Sequence, residues 1–300
     1  MIPTLNSEQT LNPCLASIAN QDYPNIEIVV TDGGSKDSTL TLAAKYTSKV
    51  LSIKGPLGKA RRAGVEKSDG EILGIFDSDI ILPHRHWLGE VISSFDRDPM
   101  LGIVWFINKA PDGASCVTRC YFNLWNAFLR HRLRSNKPIL PGGNSFVLRR
   151  AYDQAGGFNP KLHYGEDFDL MHRIIRIGYK VAIAEHPIYH NTMRSLEEFT
   201  RKQIVGALTI IKGSQNATDL DLMRTCMTWQ AHEKHHSIFN VMKEALVDHM
   251  LIGFRGMVEG LAKDKSWLVF PALVSIRTVT YASALTLLYF QRSRHPLRAT

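Results

Sequence analysis

Up to about residue 190, short apolar runs alternate with stretches of helical periodicity, and nothing else in the chain constrains its fold as strongly. Strands that alternate with helices pair in parallel, because each crossover helix returns the chain to the same end of the sheet. The pattern therefore specifies an α/β domain with a mostly parallel sheet. Residues 26–31, 72–76 and 101–107 are the strand candidates. Leu11, Cys14, Leu15 and Ile18 fall at i, i+3, i+4 and i+7, which places them on one helical face, with Asn6 or Ser7 as its cap. A sheet of this kind wants a strand before that helix, and only residues 1–5 precede it. Either the strand is very short or the natural chain begins earlier.

Beyond about residue 195 the strand pattern stops. Within residues 246–262, Val247, Leu251, Phe254, Val258 and Leu261 share one side of a helix, and Asp248, Arg255 and Glu259 the other. That division is amphipathic. Residues 267–290 then carry one charge, Arg277. The segment is long enough to span a bilayer, but a charge near its middle makes a lipid-facing span costly. Trp267, Tyr281 and Tyr289 suit an interface, with Arg292 and Arg294 following. Membrane attachment is the preferred reading; a helical subdomain packed on the core, or a homodimer contact, is the other. The expected organisation is a catalytic domain over 1–215 and a membrane-associated helical segment over 216–300.

Bulk properties narrow the function classes. The formal charge of +8 suits nucleic acid, anionic lipid or phosphorylated substrates. No zinc-finger pattern or RNA-recognition signature accompanies it, so nucleic acid is set aside. Four cysteines without a CxxC pair indicate neither a zinc site nor a disulfide framework, and Cys116 and Cys120 read as helix packing. The first residues lack the charged and apolar regions of a secretion signal, which places the catalytic part in the cytoplasm.

The chemistry gathers at strand ends. Asp77 and Asp79 directly follow the apolar run 72–76, and ligands collect beyond the carboxyl ends of such strands. Two carboxylates at that spacing can hold a divalent cation and a ribose; hard oxygen ligands suit Mg2+ or Mn2+. Asp32 precedes a Gly-Gly turn at a second strand end, where it can accept hydrogen bonds from a base or ribose, or simply cap the next helix. Glu166 and Asp167 open a helical pattern whose Leu170, Ile174 and Ile177 face inward. The helix dipole alone would favour acids there.

Together these residues resemble glycosyltransferase family 2, whose fold is GT-A-type: a Rossmann-like, mostly parallel sheet flanked by helices. The likeness runs from Ile2 to about Leu208. Pro3, Thr4, Asn6 and Glu8 look like the family's nucleoside-cradling start, and Asp32 with Asp37 like its base-binding turn. Gly58, Lys59, Ala60 and Arg61 resemble a helix start whose basic residues, Lys59 or Arg61, face the phosphates; Arg62 stands where the family usually has Asn. Asp77, Ser78 and Asp79 are similar to its D-x-D, the first Asp near the ribose and the second on the metal. Gly142, Gly143 and Asn144 resemble the acceptor-side loop. Glu166, Asp167, Asp169 and Arg173 look like its E-D-x-D-L-x-x-R, with Asp167 as catalytic base and Arg173 orienting the acidic pair. His190 is similar to the histidine that can complete the metal site, and His186 competes for that role.

The resemblance implies an inverting transfer from a UDP- or GDP-sugar, assisted by Mn2+ or Mg2+, at the cytoplasmic face of the cell membrane in envelope or glycan biosynthesis. A sugar hydroxyl needs a general base, whereas an ionised polyprenyl phosphate does not. The acidic pair therefore favours a lipid-linked saccharide acceptor over polyprenyl-phosphate sugar synthesis. The Q-x-x-R-W motif of processive synthases is absent from the sequence, which argues against chain polymerisation. A nucleotidyltransferase would want a glycine-rich phosphate loop at the first strand end, which Pro3–Asn6 does not supply. A non-catalytic nucleotide-binding scaffold is the remaining alternative.

Overall fold

A computed structural model describes residues 1–134, 143–163, 165–213 and 250–294. The chain divides into two units, Met1–Pro111 with Leu140–Thr192, and Asp112–Ile139 with Met193–Thr300. Residues 112–139 and 193–215, expected in the catalytic domain, thus cluster with the C-terminal helices.

In chain order the elements begin with β1 (Ile2–Thr4), α1 (Leu11–Ala19), β2 (Val30–Asp32), α2 (Thr39–Ala43), β3 (Val50–Ser52) and α3 (Leu57–Glu66). They continue with β4 (Ile72–Ile75), β5 (Ile80–Ile81), α4 (Trp87–Arg97), β6 (Leu101–Lys109) and α5 (Cys116–Arg134). Then come β7 (Ser145–Leu148), α6 (Arg149–Gln154), α7 (Glu166–Arg176), β8 (Lys180–His190), α8 (Leu196–Gly213) and, after a 3-10 turn at Lys265–Val269, α9 (Phe270–Arg294).

The first unit is an α/β platform. β1, β2 and β3 form a parallel sheet in that order, and a second sheet runs β4-β7-β6-β8-β5. The Phe76 N–H donates to the Met1 carbonyl at 3.2 Å, so β1 and β4 lie side by side. β6 and β8 are parallel, whereas β7 and β5 insert antiparallel. β3, β5, β7 and β8 all fall outside the strand candidates; β7 and β5 are only four and two residues long. The strand expected at 26–31 starts later, at Val30, because backbone pairing begins only where the Ile2 N–H reaches the Val29 carbonyl.

Alternation along the strands sorts side chains to the two faces. Phe76, Val104 and Phe146 pack under α1 and α4 with Leu11, Leu15 and Trp87. Their neighbours Ile75, Ile103 and Val147 pack on the other face with Leu170, Met171 and Ile174 of α7. The predicted face of α1 is buried at all four positions, but its N-cap is Thr10. Asn6 sits at φ 50°, and the Ser7 carbonyl accepts from the Thr10 and Leu11 N–H groups. Neither is therefore the cap. Ile177 lies just past α7 and is exposed, not inward.

The second unit is helical. Val117, Cys120, Leu124 and Phe128 of α5 meet Phe199 of α8 and Trp267, Phe270, Leu273 and Val274. Cys120 packs as expected, but Cys116 is exposed. The helical residues 250–260 turn their glycines inward: a β-carbon on Gly253 would lie 2.2 Å from Phe270, and one on Gly260 2.3 Å from Trp267. The opposite stripe, Leu251, Phe254 and Val258, is 65%, 57% and 65% exposed. Residues 265–284 are apolar and long enough to cross a membrane, though a third of the most apolar stretch is buried within the fold. Arg277 donates to Oε1 of the buried Gln203 at 2.9 Å and stacks over Tyr281, so its charge is satisfied inside the unit.

Candidate active site

The candidate residues gather at the ends of β1, β2, β4 and β8. On the nucleoside side, segments 4–8 and 32–39 are laced together. Asp32 is fully buried; its Oδ2 accepts from the Gly34 and Ser35 N–H groups, and its Oδ1 from the Ser35 and Thr4 hydroxyls. Burial works to raise its pKa, but these hydrogen bonds outweigh it and hold the carboxyl below the usual range. Asn6 Oδ1 accepts from the Lys36 N–H and Glu8 Oε2 from that of Ser38. Pro3 lies within β1. Ser78 reaches the same wall through its hydroxyl, 3.0 Å from that of Ser7.

The D-x-D carboxylates meet β8. One His190 ring nitrogen, Nε2, is 2.9 Å from Oδ1 of Asp79. Backbone pairing of Ile80 with His190 holds them there. Asp77, Asp79 and His190 each bring a ligand atom within 4.8 Å of the others. Adjacent ligands of an octahedral ion with bonds of about 2.0–2.1 Å stand about 2.9 Å apart, which is the Asp79–His190 spacing. Two carboxylates and an imidazole therefore fit a divalent cation. His186 is not part of this cluster.

Asn144 is buried, at φ 60°, and its side chain meets the carboxylates. Its Oδ1 accepts from the Asp77 N–H at 2.8 Å; its Nδ2 donates to Asp77 Oδ2 at 3.2 Å and lies 3.4 Å from His190 Nδ1. The adjoining Gly143 donates its N–H to Asp167 Oδ2 at 2.5 Å. Gly142 lies outside the described residues.

Arg61 is the centre that sequence reasoning underrated. It is 2% exposed, with one arm 2.9 Å from Asp77 Oδ1 and its Nε 3.3 Å from Glu166 Oε1. Burial alone would lower its pKa; Glu166, Asp77 and Asp167 outweigh that and raise it. Burial pushes the Glu166 carboxyl up to about 7, against the pull of Arg61 and with the Asp167 charge adding to the rise. Helix phase was the available signal: Gly58, Arg61 and Val65 share the buried face of α3, whereas Lys59 projects into solvent. Lys59 thus remains free to reach an anion, while Arg61 is committed to the acids.

Asp167 is half-buried, in the first turn of α7, whose N-cap is Gly165 at φ 75°. Its Oδ1 accepts from the Phe168 N–H. Arg173 does not orient this pair. Its guanidinium bonds Asp169 at 2.6 Å and the carbonyls of Ala155 and Gly157, because one turn of helix carries it to Asp169 and away from the site.

Comparison with known proteins identifies the family and the fold. The family model for glycosyl transferase family 2 matches residues 1–156. Glycosyltransferase AglE of Haloferax volcanii is 28% identical over 215 residues, 68% of this chain and 69% of its own length. Chondroitin synthase of Pasteurella multocida is 27% identical over 186 residues, 59% of this chain but only 18% of that longer protein. Among solved structures, the mannosyltransferase PcManGT from Pyrobaculum calidifontis, in complex with GDP-Man and Mn2+, superposes with a TM-score of 0.56 at 17% identity, covering 94% of this chain and 85% of its own. S. aureus TarS 1-349 in complex with UDP gives 0.51 at 17%, covering 95% and 90%. At these identities the structural likeness establishes the GT-A-type fold.

Proposed function

The chain belongs to glycosyltransferase family 2, and from that premise we propose that it transfers a sugar, with inversion, from a UDP- or GDP-sugar to a hydroxyl of a membrane-associated, lipid-linked saccharide. The observation that carries this reading is the convergence on one strand-end cleft of Asp77, Asp79, His190 and Asp167, joined through Arg61 and Asn144.

Asp79, Asp77 and His190 would hold the cation, and an imidazole in the donor set favours Mn2+ over Mg2+. When bound, such an ion neutralises charge on the departing diphosphate. Thr4, Asn6, Glu8, Asp32 and Ser78 border the nucleoside, and Lys59 reaches toward the phosphates. Asp167 removes the acceptor hydroxyl's proton as that oxygen attacks the anomeric carbon opposite the leaving group. Glu166, protonated up to about neutral pH, is too buried to serve as the base and instead anchors Arg61. Arg61 and the Gly143 N–H hold Asp77 and Asp167 in place before substrate arrives.

Membrane association at the cytoplasmic face is supported by the exposed stripe Leu251, Phe254 and Val258, by the apolar 265–284 segment and by the +8 charge. Interfacial binding draws on these two attractions, apolar burial and anionic lipid.

Calorimetric titration of UDP and GDP, with and without Mn2+, tests the donor site. Metal-dependent binding that Asp79→Asn abolishes is expected, and it identifies the nucleotide. No binding by the folded protein would overturn the donor site, and with it both the transferase and the nucleotide-binding scaffold readings. Asp167→Asn should then abolish transfer while nucleotide affinity is kept. Transfer surviving in that variant would point to a polyprenyl phosphate acceptor, whose ionised oxygen needs no base.

A further inference from the structure

His186 is left over by the active site, and it stands in a second cluster. Its Nε2 is 3.5 Å from Glu90 Oε2, and Nε2 of His84 approaches the same oxygen at 3.6 Å. All three ligand atoms lie within 4.8 Å of one another, and the two rings stand edge to face with centroids 5.7 Å apart. These separations are too long for hydrogen bonds. They match the edge of a tetrahedral zinc site, which bonds of about 2.0–2.2 Å set at about 3.3–3.6 Å.

The backbone beneath the cluster is fixed. The His84 carbonyl accepts from the Trp87 N–H at 3.2 Å and from Gln21 Nε2 at 2.8 Å. The His186 carbonyl accepts from the indole N–H of the same Trp87 at 3.4 Å, and Trp87 is fully buried. One anchored residue thus sets both imidazoles, while Glu90 rises one turn into α4. The side chains are 39–54% exposed, leaving a fourth position for water.

The geometry points to a zinc site formed by His84, Glu90 and His186, separate from the Asp77–Asp79–His190 centre. Two imidazoles and one carboxylate select zinc over magnesium or calcium. A zinc ion there would tie the β5–α4 connection to β8. That is the sheet edge where Asp79 leads into β5 and His190 ends β8. The ion would therefore clamp the pairing that places the two active-site ligands, without touching substrate. This assignment does not rest on the glycosyl-transfer reading.

The test is zinc retention by the chelator-stripped, reloaded full-length protein after gel filtration in metal-free buffer, measured on wild type, His84→Ala, His186→Ala and Asp79→Asn. Wild type and Asp79→Asn should each keep one zinc at the cluster, and zinc should raise their Tm. Each histidine variant should lose that zinc, with affinity down by at least the roughly 10–100-fold typical of disturbing even a ligand's outer partners, while its Tm becomes insensitive to zinc and its circular dichroism stays native. Zinc lost from Asp79→Asn but kept by His186→Ala overturns the assignment, and so does a wild type that retains none.

Discussion

At the residue scale the decisive group is Arg61, a charge that the fold buries completely and surrounds with three acids. Removing one partner of a buried pair costs about 3–5 kcal/mol, because the other charge is left uncompensated. Arg61→Met should therefore destabilise the protein by about that amount in denaturant unfolding and abolish transfer. Adding Glu166→Leu to Arg61→Met should restore much of the stability, since an apolar pair of similar volume is tolerated there. Activity should not return, because Asp77 keeps its bonds to Asn144 but loses the charged partner on its Oδ1. Recovery of activity in the double variant would reduce Arg61 to a packing element. The motif flagged Arg61 as basic, and only the phase of α3 revealed that it points inward. The contact of Asn144 with Asp77 had no such signal, since it depends on a left-handed backbone conformation at the entry to β7.

At the element scale, residues 250–260 show why an amphipathic pattern does not by itself say which side is buried. The sequence displays an apolar stripe and a charged one, with membrane attachment as the preferred reading and packing on the core as the other, and in the fold the apolar stripe is not what packs. Instead glycines make the close contact with Phe270 and Trp267, and Leu251, Phe254 and Val258 are left outside. Replacing those three by Gln should preserve or raise Tm in buffer and sharply reduce cosedimentation with anionic lipid vesicles. Unchanged cosedimentation would move membrane contact elsewhere. Gly260→Leu should do the opposite, disrupting the unit through a collision with Trp267.

At the scale of the whole molecule, the alternation of strands and helices and the order of motifs were enough to read the fold and to name Asp77, Asp79 and His190, which the structure brings together. The antiparallel strands β5 and β7 were not legible, because two- and four-residue strands carry no usable periodicity. The two-unit division was not legible either, because packing of α5 against helices far along the chain leaves no local pattern. Global stability should carry the mark of Glu166. Its carboxyl moves from an ordinary value of about 4.3 when unfolded to about 7 when folded. The folded state thus holds the extra proton, and this contribution is fully present below about pH 4 and fades as pH rises through about 7. Glu166→Gln, which mimics the protonated form, should flatten the fall in Tm across that window; an unchanged profile would mean that Glu166 is not the titrating group.

The guanidinium shared between Asp77 and Glu166 also bears on the sequence of events in a turnover. On the proposed reading, a cation settling beside Asp77 would compete for the carboxylate that Arg61 holds, and whatever Arg61 yielded on that arm would strengthen its hold on Glu166, next to Asp167. Loading the donor half would then complete the acceptor half, so the two would fill in a compulsory order and little donor would be lost to water before that order is complete.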